Sequence, residues 1–482
     1  MSQSLTRIGA RGGGVTLAAQ AGRMLVQLIG LVVLSRLLEP EDFGLVAMVA
    51  VFMTLADILR DFGLSSAGLQ ARALSQQQAS NLFWASTALG LFAGILLAAG
   101  TPLIVSFYDE PRLWNIIPAL ATVLLIGGTQ AQVQVQLARQ HKFLALALSQ
   151  FVAPVVGLML AVIAALAGWD YMALVAQIIG TATALLLLQS AFSRWIPSTP
   201  KRGHGSAALF RSGAQMGGAF LLTWAASNVD SMLTGARFGA STLGFYNRAY
   251  QLTATIIGSF LAPLTQVVVP ILNEARKDGK NTSVVLRNLQ FFIAAPVSLI
   301  MVALAAVAPL LIPILLGDAW APAIPLVQIL AVGECIHALS FVSYWGFLAE
   351  RLSKQLLYYN LLTKPLVVIA VFLGSSWGVE GIAWGYVVGL AVSWPINLLW
   401  LDKSAGYEGM KFLTNGLRIL LVALVTYALV SLILNAFAHS GSFFWVIAAV
   451  VITIVLFISF LAILPSGRND LRRVIQAVRS LR

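Results

Sequence analysis

The sequence predicts an all-α polytopic membrane protein of about fourteen transmembrane helices, with both termini in the cytoplasm. Three observations predict it. First, 59% of the 482 residues are hydrophobic and only 10% are charged, where a soluble chain carries about 25% charged residues. Second, the apolar residues come in blocks of about twenty or more, the length that spans a hydrocarbon core of about 30 Å. Third, the short loops between blocks alternate in charge. A mean hydropathy of +0.87 agrees with all three.

Taken in order, the first six blocks lie at roughly 13–36, 42–62, 82–107, 114–137, 145–168 and 171–193. The next six lie at roughly 208–235, 246–272, 288–316, 322–349, 355–375 and 379–401. Two more follow at roughly 415–436 and 442–464, with boundaries good to about 2–4 residues. The first block holds Arg23 and ends without a small-residue cleavage site, so it reads as a retained helix rather than a signal peptide. Gly12-Gly13-Gly14 lacks the Lys-Ser/Thr of a phosphate loop and reads as a flexible helix start.

The loops sort into two sets. One holds Arg7 and Arg11, Arg72, Arg139 and Lys142, Arg194 to Arg202, Arg276 to Lys280, Arg351 and Lys354, Lys403 and Lys411, and the tail from Arg468. The other holds Glu39, Glu41 and Asp42, Asp109 and Glu110, Asp170, Asp318 and Glu380, with few cations beyond Arg36, Arg112, Arg237 and Arg248. The positive-inside rule puts the first set in the cytoplasm. It also accounts for the net charge of +12, which is spread over loops rather than gathered in a basic groove for nucleic acid. Trp84, Trp114, Tyr171 and Trp400 fit interfacial belts.

The polar break at 195–207, with Pro197, Pro200 and Gly203, reads as a linker. On either side, Leu34-Ser-Arg-Leu-Leu38 with Phe43-Gly-Leu45 is echoed by Gly235-Ala-Arg-Phe238 with Leu243-Gly-Phe245. Arg139…Lys142 is likewise echoed by Arg351…Lys354. Two similar six-helix lobes related by an axis along the membrane normal are a transporter architecture, with the substrate site between the lobes. The chain then divides, to within about 2–4 residues, into a lobe over 1–194, the cytoplasmic linker 195–207, a lobe over 208–401, two further helices in 402–464 and a tail helix in 465–482. In the tail, Leu471, Val474, Ile475, Val478 and Leu481 fall on one face and Arg472, Arg473, Arg479 and Arg482 on or near the other. That pattern suits an amphipathic helix on anionic inner-leaflet lipids, or a solvated tail.

Leu34-Ser-Arg-Leu-Leu-Glu-Pro-Glu-Asp-Phe-Gly44 followed by Asp61-Phe-Gly-Leu-Ser-Ser66 resembles the opening of bacterial polysaccharide flippases. So does Val229-Asp-Ser-Met-Leu-Thr-Gly-Ala-Arg-Phe-Gly239 followed by Leu243-Gly-Phe-Tyr-Asn-Arg-Ala-Tyr250, with Trp320-Ala-Pro-Ala323 later. The chain is thus similar to the Wzx-like polysaccharide transporter family of the multidrug/oligosaccharidyl-lipid/polysaccharide superfamily. The resemblance implies a flippase of the bacterial inner membrane. It implies two six-helix lobes around a cationic cavity that opens alternately to each side, driven by an ion gradient or the membrane potential. The implied substrate is an oligosaccharide repeat on undecaprenyl diphosphate, for exopolysaccharide, capsule or lipopolysaccharide. Other polysaccharide-assembly membrane proteins are implied partners.

A charge in mid-membrane costs several kcal/mol at least, so each needs a reason. Arg23 and Lys364 lie near the middles of their blocks; either they face the cavity and attract the diphosphate, or each pairs with a carboxylate on a neighbouring helix. Arg237 and Arg248 match the family motif and either meet the diphosphate at the outer gate or hold the loop together. Asp230, Glu334 and Asp57 are candidates for ion coupling, because a buried carboxylate can take up and release a proton. Asn228 flanks Asp230. Asp57 sits three residues before Arg60, and Glu334 three before His337, so a local pair is the simpler reading for both. Gly381, Gly385 and Gly389 read as close helix packing. Gln130, Gln132, Gln134 and Gln136 either line the cavity or snorkel. Cys335 and the scattered His141, His204, His337 and His439 suggest no metal site, no cofactor is expected, and no nucleophile–base constellation is evident. The chain therefore reads as a non-enzyme. Its alternatives are a lipid II flippase or drug/cation antiporter of the same superfamily, a glycan polymerase or ligase, which would want a long outward loop, and a scaffold.

Overall fold

The computed structural model describes the backbone of residues 2–71, 74–201, 206–437 and 443–479, with side chains from Gln20 onward except mainly at 206–223 and in the last helix. Arg72, Arg202, Gly203, His204 and His439 lie outside the described residues, as do the side chains of Arg7, Arg11 and the apolar face expected of the tail. Every regular element among the described residues is helical. Among the described residues eleven stretches are long and apolar enough to cross a membrane, and one of them, Ser353–Ala405, contains two successive helices.

Contacts divide the chain into two compact units, Met1–Gly244 and Phe245–Arg482. The first holds α1 (Ser2–Leu37), α2 (Pro40–Asp61), α3 (Leu64–Gln70), α4 (Gln76–Ala99), α5 (Thr101–Tyr108), α6 (Leu113–Arg139), α7 (Phe143–Leu166) and α8 (Tyr171–Ser193). It also takes the first part of α9 (Ser206–Lys277). Of the segment expected as a linker, residues 195–201 fall within the bounds of this unit, and 202–205 lie outside the described residues. The second unit holds the rest of α9, α10 (Thr282–Leu315), α11 (Ala323–Ala349), α12 (Ser353–Gly374), α13 (Gly378–Ala405), α14 (Gly409–Phe437), α15 (Phe443–Ile463) and α16 (Pro465–Arg479).

Three departures from the expected blocks have local causes. The block expected at 82–107 is two helices, α4 and α5, parted at Gly100. Pro102 has no N–H to give to the carbonyl four residues back, and its ring crowds that carbonyl. The helices expected at 208–235 and 246–272 form one run, α9, interrupted at Gly239 with φ 79° and ψ −179°, a backbone setting that essentially only glycine adopts. Gly12-Gly13-Gly14 is not the start of α1, which already runs from Ser2. Other ends follow ordinary capping. Ser75 accepts from Gln78 N at 3.1 Å while Gln78 Oε1 accepts from Ser75 N at 3.0 Å. Asn281 Oδ1 accepts from Ser283 N at 2.9 Å to start α10.

In lipid an apolar side chain gains little by leaving the tails, so helices associate through small residues and polar bonds. α7 buries Ala147, Ser149, Ala153, Gly157, Ala161 and Ala164, a small-residue stripe, and leaves Leu144, Leu148, Met159 and Ile163 exposed. The glycines of α13 behave as expected of close packing: a Cβ on Gly381 or Gly385 would fall 2.1 Å from Gly374 O or 2.4 Å from Ala370 O of α12. Cations of the basic loops cap helix ends. Arg139 Nη1 donates to Gly68 O and Ala71 O at the end of α3, at 3.0 and 2.8 Å. Lys142 Nζ donates to Phe192 O at the end of α8, at 3.0 Å. The segment 195–201 is tied along the start of α4. Gln76, Gln77 and Trp84 donate to the carbonyls of Ile196, Thr199 and Ser198, and Asn81 pairs with both the N–H and C=O of Lys201.

Candidate functional site: the intramembrane charges

The candidate residues fall in both units: Arg23, Asp57, Asp230 and Arg237 in the first, Arg248, Glu334 and Lys364 in the second. Arg23, on α1, is partly buried and donates to Gln20 Oε1 at 2.7 Å, one turn back. Lys364, on α12, is also partly buried. Among the described residues neither Arg23 nor Lys364 lies within 4.0 Å of a carboxylate. Both are thus cations on apolar helices whose charge the described side chains leave uncompensated.

The three carboxylates differ. Asp57 lies 3.4 Å from Arg60 on its own helix and is 44% exposed, the local pair that its spacing suggests. Glu334 is buried at 1% exposure on α11, with His337 Nδ1 3.0 Å from its Oε2. Asp230 is 6% exposed. Its Oδ1 accepts from Ser231 N at 2.8 Å and its carbonyl from Thr234 Oγ1 at 2.7 Å. Asn228 turns to its own helix, donating to Trp224 O at 2.9 Å.

The two arginines of the family motif also part company. Arg237 is exposed just before the break at Gly239. Arg248 is 7% exposed, donates to Gln251 Oε1 at 2.5 Å and stacks its guanidinium 5.8 Å from the centre of the Trp320 ring. Trp320 is fully buried in the turn between α10 and α11 and also meets Phe245 edge-on. Arg248 therefore braces a turn of its own unit.

Several polar pairings escaped the sequence reading because the partners are remote in sequence. Gln130 Nε2 donates to Gln189 Oε1 at 2.6 Å, and Gln189 Nε2 to Ser149 Oγ at 3.3 Å, so α6, α7 and α8 share one buried bond chain. Gln189 sits in an apolar run that gives no hint of it. In the second unit Arg418 joins Asp470 of α16 and Asn415, and Asn415 reaches Gln290. Glu350 collects Arg276 at 3.1 Å and the Tyr407 hydroxyl at 3.1 Å; burial pushes the Tyr407 phenol up to about 12. At an acidic loop, Arg112 bonds Glu110 at 2.8 Å and also Glu41, which holds the Glu110 carboxyl below the usual range.

Cys335 is buried on α11. It borders a mainly apolar cavity of about 430 Å³ that also touches Gln328, Trp384 and Tyr427. Among the described residues no cluster of three His, Cys, Asp or Glu is placed to hold a metal.

A family model described as "Polysaccharide biosynthesis protein" matches residues 33–325. The chain belongs to this family. The stretches Leu34–Gly44 and Val229–Tyr250, which carry the resemblance to polysaccharide flippases, lie inside the match, and that resemblance is borne out. Teichuronic acid biosynthesis protein TuaB of Bacillus subtilis is 24% identical over 77% of this chain and 78% of its own length. Succinoglycan biosynthesis transport protein ExoT of Rhizobium meliloti is 24% identical over 97% of this chain and 95% of its own. A solved structure of the lipid II flippase MurJ, in an inward closed conformation, has the same fold. It aligns with a TM-score of 0.72 at 14% identity over 94% of this chain and 98% of that one. The chain is a multi-pass membrane protein of polysaccharide biosynthesis.

Proposed function

We propose that the chain is a flippase that carries an undecaprenyl-diphosphate-linked oligosaccharide repeat across the bacterial inner membrane, for exopolysaccharide, capsule or lipopolysaccharide. The observation that carries this reading is the match to ExoT, by name a transport protein of succinoglycan biosynthesis, along nearly the whole chain. In this reading the chain crosses the membrane fourteen times, with both termini and the basic loops cytoplasmic. Lobes 1–194 and 208–401 alternate access to a cavity between them.

Arg23 and Lys364 attract the diphosphate. Uncompensated cations on apolar helices are the partners a polyanion needs, Arg as a bidentate fork and Lys as a point charge. Exposed Arg237 meets the diphosphate at the outer side; Arg248 acts through Trp320 rather than by contact. Glu334, with His337 beside it, and Asp230 are the coupling carboxylates, because both are buried; Asp57 is spent on Arg60. The basic tail helix rests on anionic inner-leaflet lipids. Other polysaccharide-assembly proteins would take over the flipped substrate.

The test is a deletion strain from which undecaprenyl-linked sugars are extracted, identified by mass and assigned to a leaflet. Intact repeat units held on the cytoplasmic leaflet, with surface polymer lost, support the reading. An unchanged lipid-linked pool sinks it in favour of drug or ion antiport, and accumulation on the outer leaflet points instead to polymerisation or ligation.

A further inference from the structure

The two Phe-Gly-like motifs that echo one another are also in contact. A Cβ built on Gly44 would fall 1.7 Å from Ala240 O, and one on Gly244 would fall 1.9 Å from Pro40 O and 3.3 Å from Gly44 N. Such distances leave room for hydrogen alone, so the two backbones touch. The contact is reciprocal. Each glycine lies on the carbonyl four residues before the other, and Pro40 with Ala240 and Gly44 with Gly244 are each 200 positions apart. A self-complementary contact between equivalent residues is the mark of a two-fold relation, here within one chain between its echoed motifs.

What surrounds the contact differs on its two sides. On one side Pro40 opens α2, with Glu39 N bonded to Asp42 Oδ2 at 3.0 Å. Glu41 in the same turn is held by Arg112. That turn is anchored to the loop before α6. On the other side Ala240 directly follows the break at Gly239, where the glycine leaves the backbone free to rotate. A fixed turn thus faces a helix that begins at a swivel, and the seat between them is made of backbone and hydrogen.

We propose that the Gly44/Gly244 seat is a gate at the acidic-loop end of the molecule, closed in this structure and opened by rotation at Gly239. The proposal rests on the transport reading above. Contacts between Cα–H and carbonyl are weak individually, so the seat closes the backbone tightly yet parts without breaking an ion pair. A methyl group on either glycine prevents closure. The crossing of α4 and α6 has the same geometry, Gly90 on Leu124 O and Gly128 on Ser86 O, each at 2.5 Å from a built Cβ. It lies between two helices packed along their lengths, so it serves as the static control.

The test uses the full chain in nanodiscs, both faces open to reagent. Cys335 is the sole cysteine, so Cys335→Ser with Ala240→Cys gives one reporter at a position that is 6% exposed; this parent is first shown to export polymer. Its reaction with a charged maleimide tracks the open fraction, so moving from about one-tenth open to wholly open raises the rate about tenfold. Gly44→Ala and Gly244→Ala are each expected to produce that rise, and Gly90→Ala is not. Rates for Gly44→Ala and Gly244→Ala that stay at the parent value, or an equal rise in Gly90→Ala, overturn the proposal.

Should the glycine variants fail to accumulate, the parent reporter is compared in cells that make the lipid-linked donor and in cells that do not. Different labelling rates support a gate that moves with transport, and identical rates overturn it. If the deletion strain keeps its lipid-linked pool unchanged, the transport reading falls, while the nanodisc result still reports on the seat.

Discussion

Replacing Gln76 by Ala should loosen the segment 195–201 from α4. Gln76 makes two of its bonds, donating from Nε2 to Ile196 O at 2.9 Å and accepting from Trp195 Nε1 at 2.6 Å. Each such bond contributes about 0.5–1.5 kcal/mol net, and these are exposed enough for water to replace them, so the lower half of the range applies. The two together then contribute about 1.4 kcal/mol, a tenfold change in the fraction released. Trypsin acting after Arg194 reads that fraction, because cleavage requires the next residues to leave α4 and follows the open population when reclosing is fast. Trp84→Phe removes one bond, to Ser198 O at 2.9 Å, and by the same rule should give about a threefold rise. The rate is followed by mass on membranes matched for protein amount. A Gln76→Ala rate within twofold of wild type would show that the segment is held by something other than these side chains.

Neutralising both intramembrane cations, Arg23→Gln with Lys364→Gln, should abolish polymer export while leaving membrane abundance unchanged; normal export removes both from the site. Gln189→Leu deletes two buried interhelical bonds, which at about 0.6 kcal/mol each in a membrane should cost about 1 kcal/mol, measured by unfolding in detergent mixtures. Glu110 is held below the ordinary carboxylate range by its bonds to Arg112. Its contribution to stability is therefore fully present above about pH 4.5 and lost as pH falls through the lowered value. Arg112→Gln should flatten that acid limb of the unfolding curve, and an unchanged limb would assign it to other carboxylates.

Block length and local spacing carried much of this structure. The blocks expected at 145–168 and 171–193 are α7, Phe143–Leu166, and α8, Tyr171–Ser193, because a helix in lipid is bounded where apolarity stops. Asp57 with Arg60 and Glu334 with His337 were legible as pairs, because three residues along a helix is one face. The residues around Gly239 are polar enough for a loop, and only the backbone angles show that the two helices of α9 meet directly at a break on that one glycine. Arg248 on Trp320 and Gln130 on Gln189 were not legible at all. Helical periodicity says which face a residue shares, and nothing about which remote helix that face will meet.

The capping of helix ends by Arg139 and Lys142 bears on how such a chain is made. Charges in the loops decide topology while the nascent chain is being inserted, before any helix has a neighbour. Afterwards Arg139 holds the last carbonyls of α3 and Lys142 those of α8. On the proposed topology the same two side chains serve as an address during biosynthesis and as fasteners in the finished protein. Exchanging Arg139 for Lys keeps the address but gives up the rigid, planar guanidinium whose Nη1 reaches both carbonyls. Orientation and stability can therefore be separated by substitution at a single position, with the chain inserted correctly and left imperfectly closed.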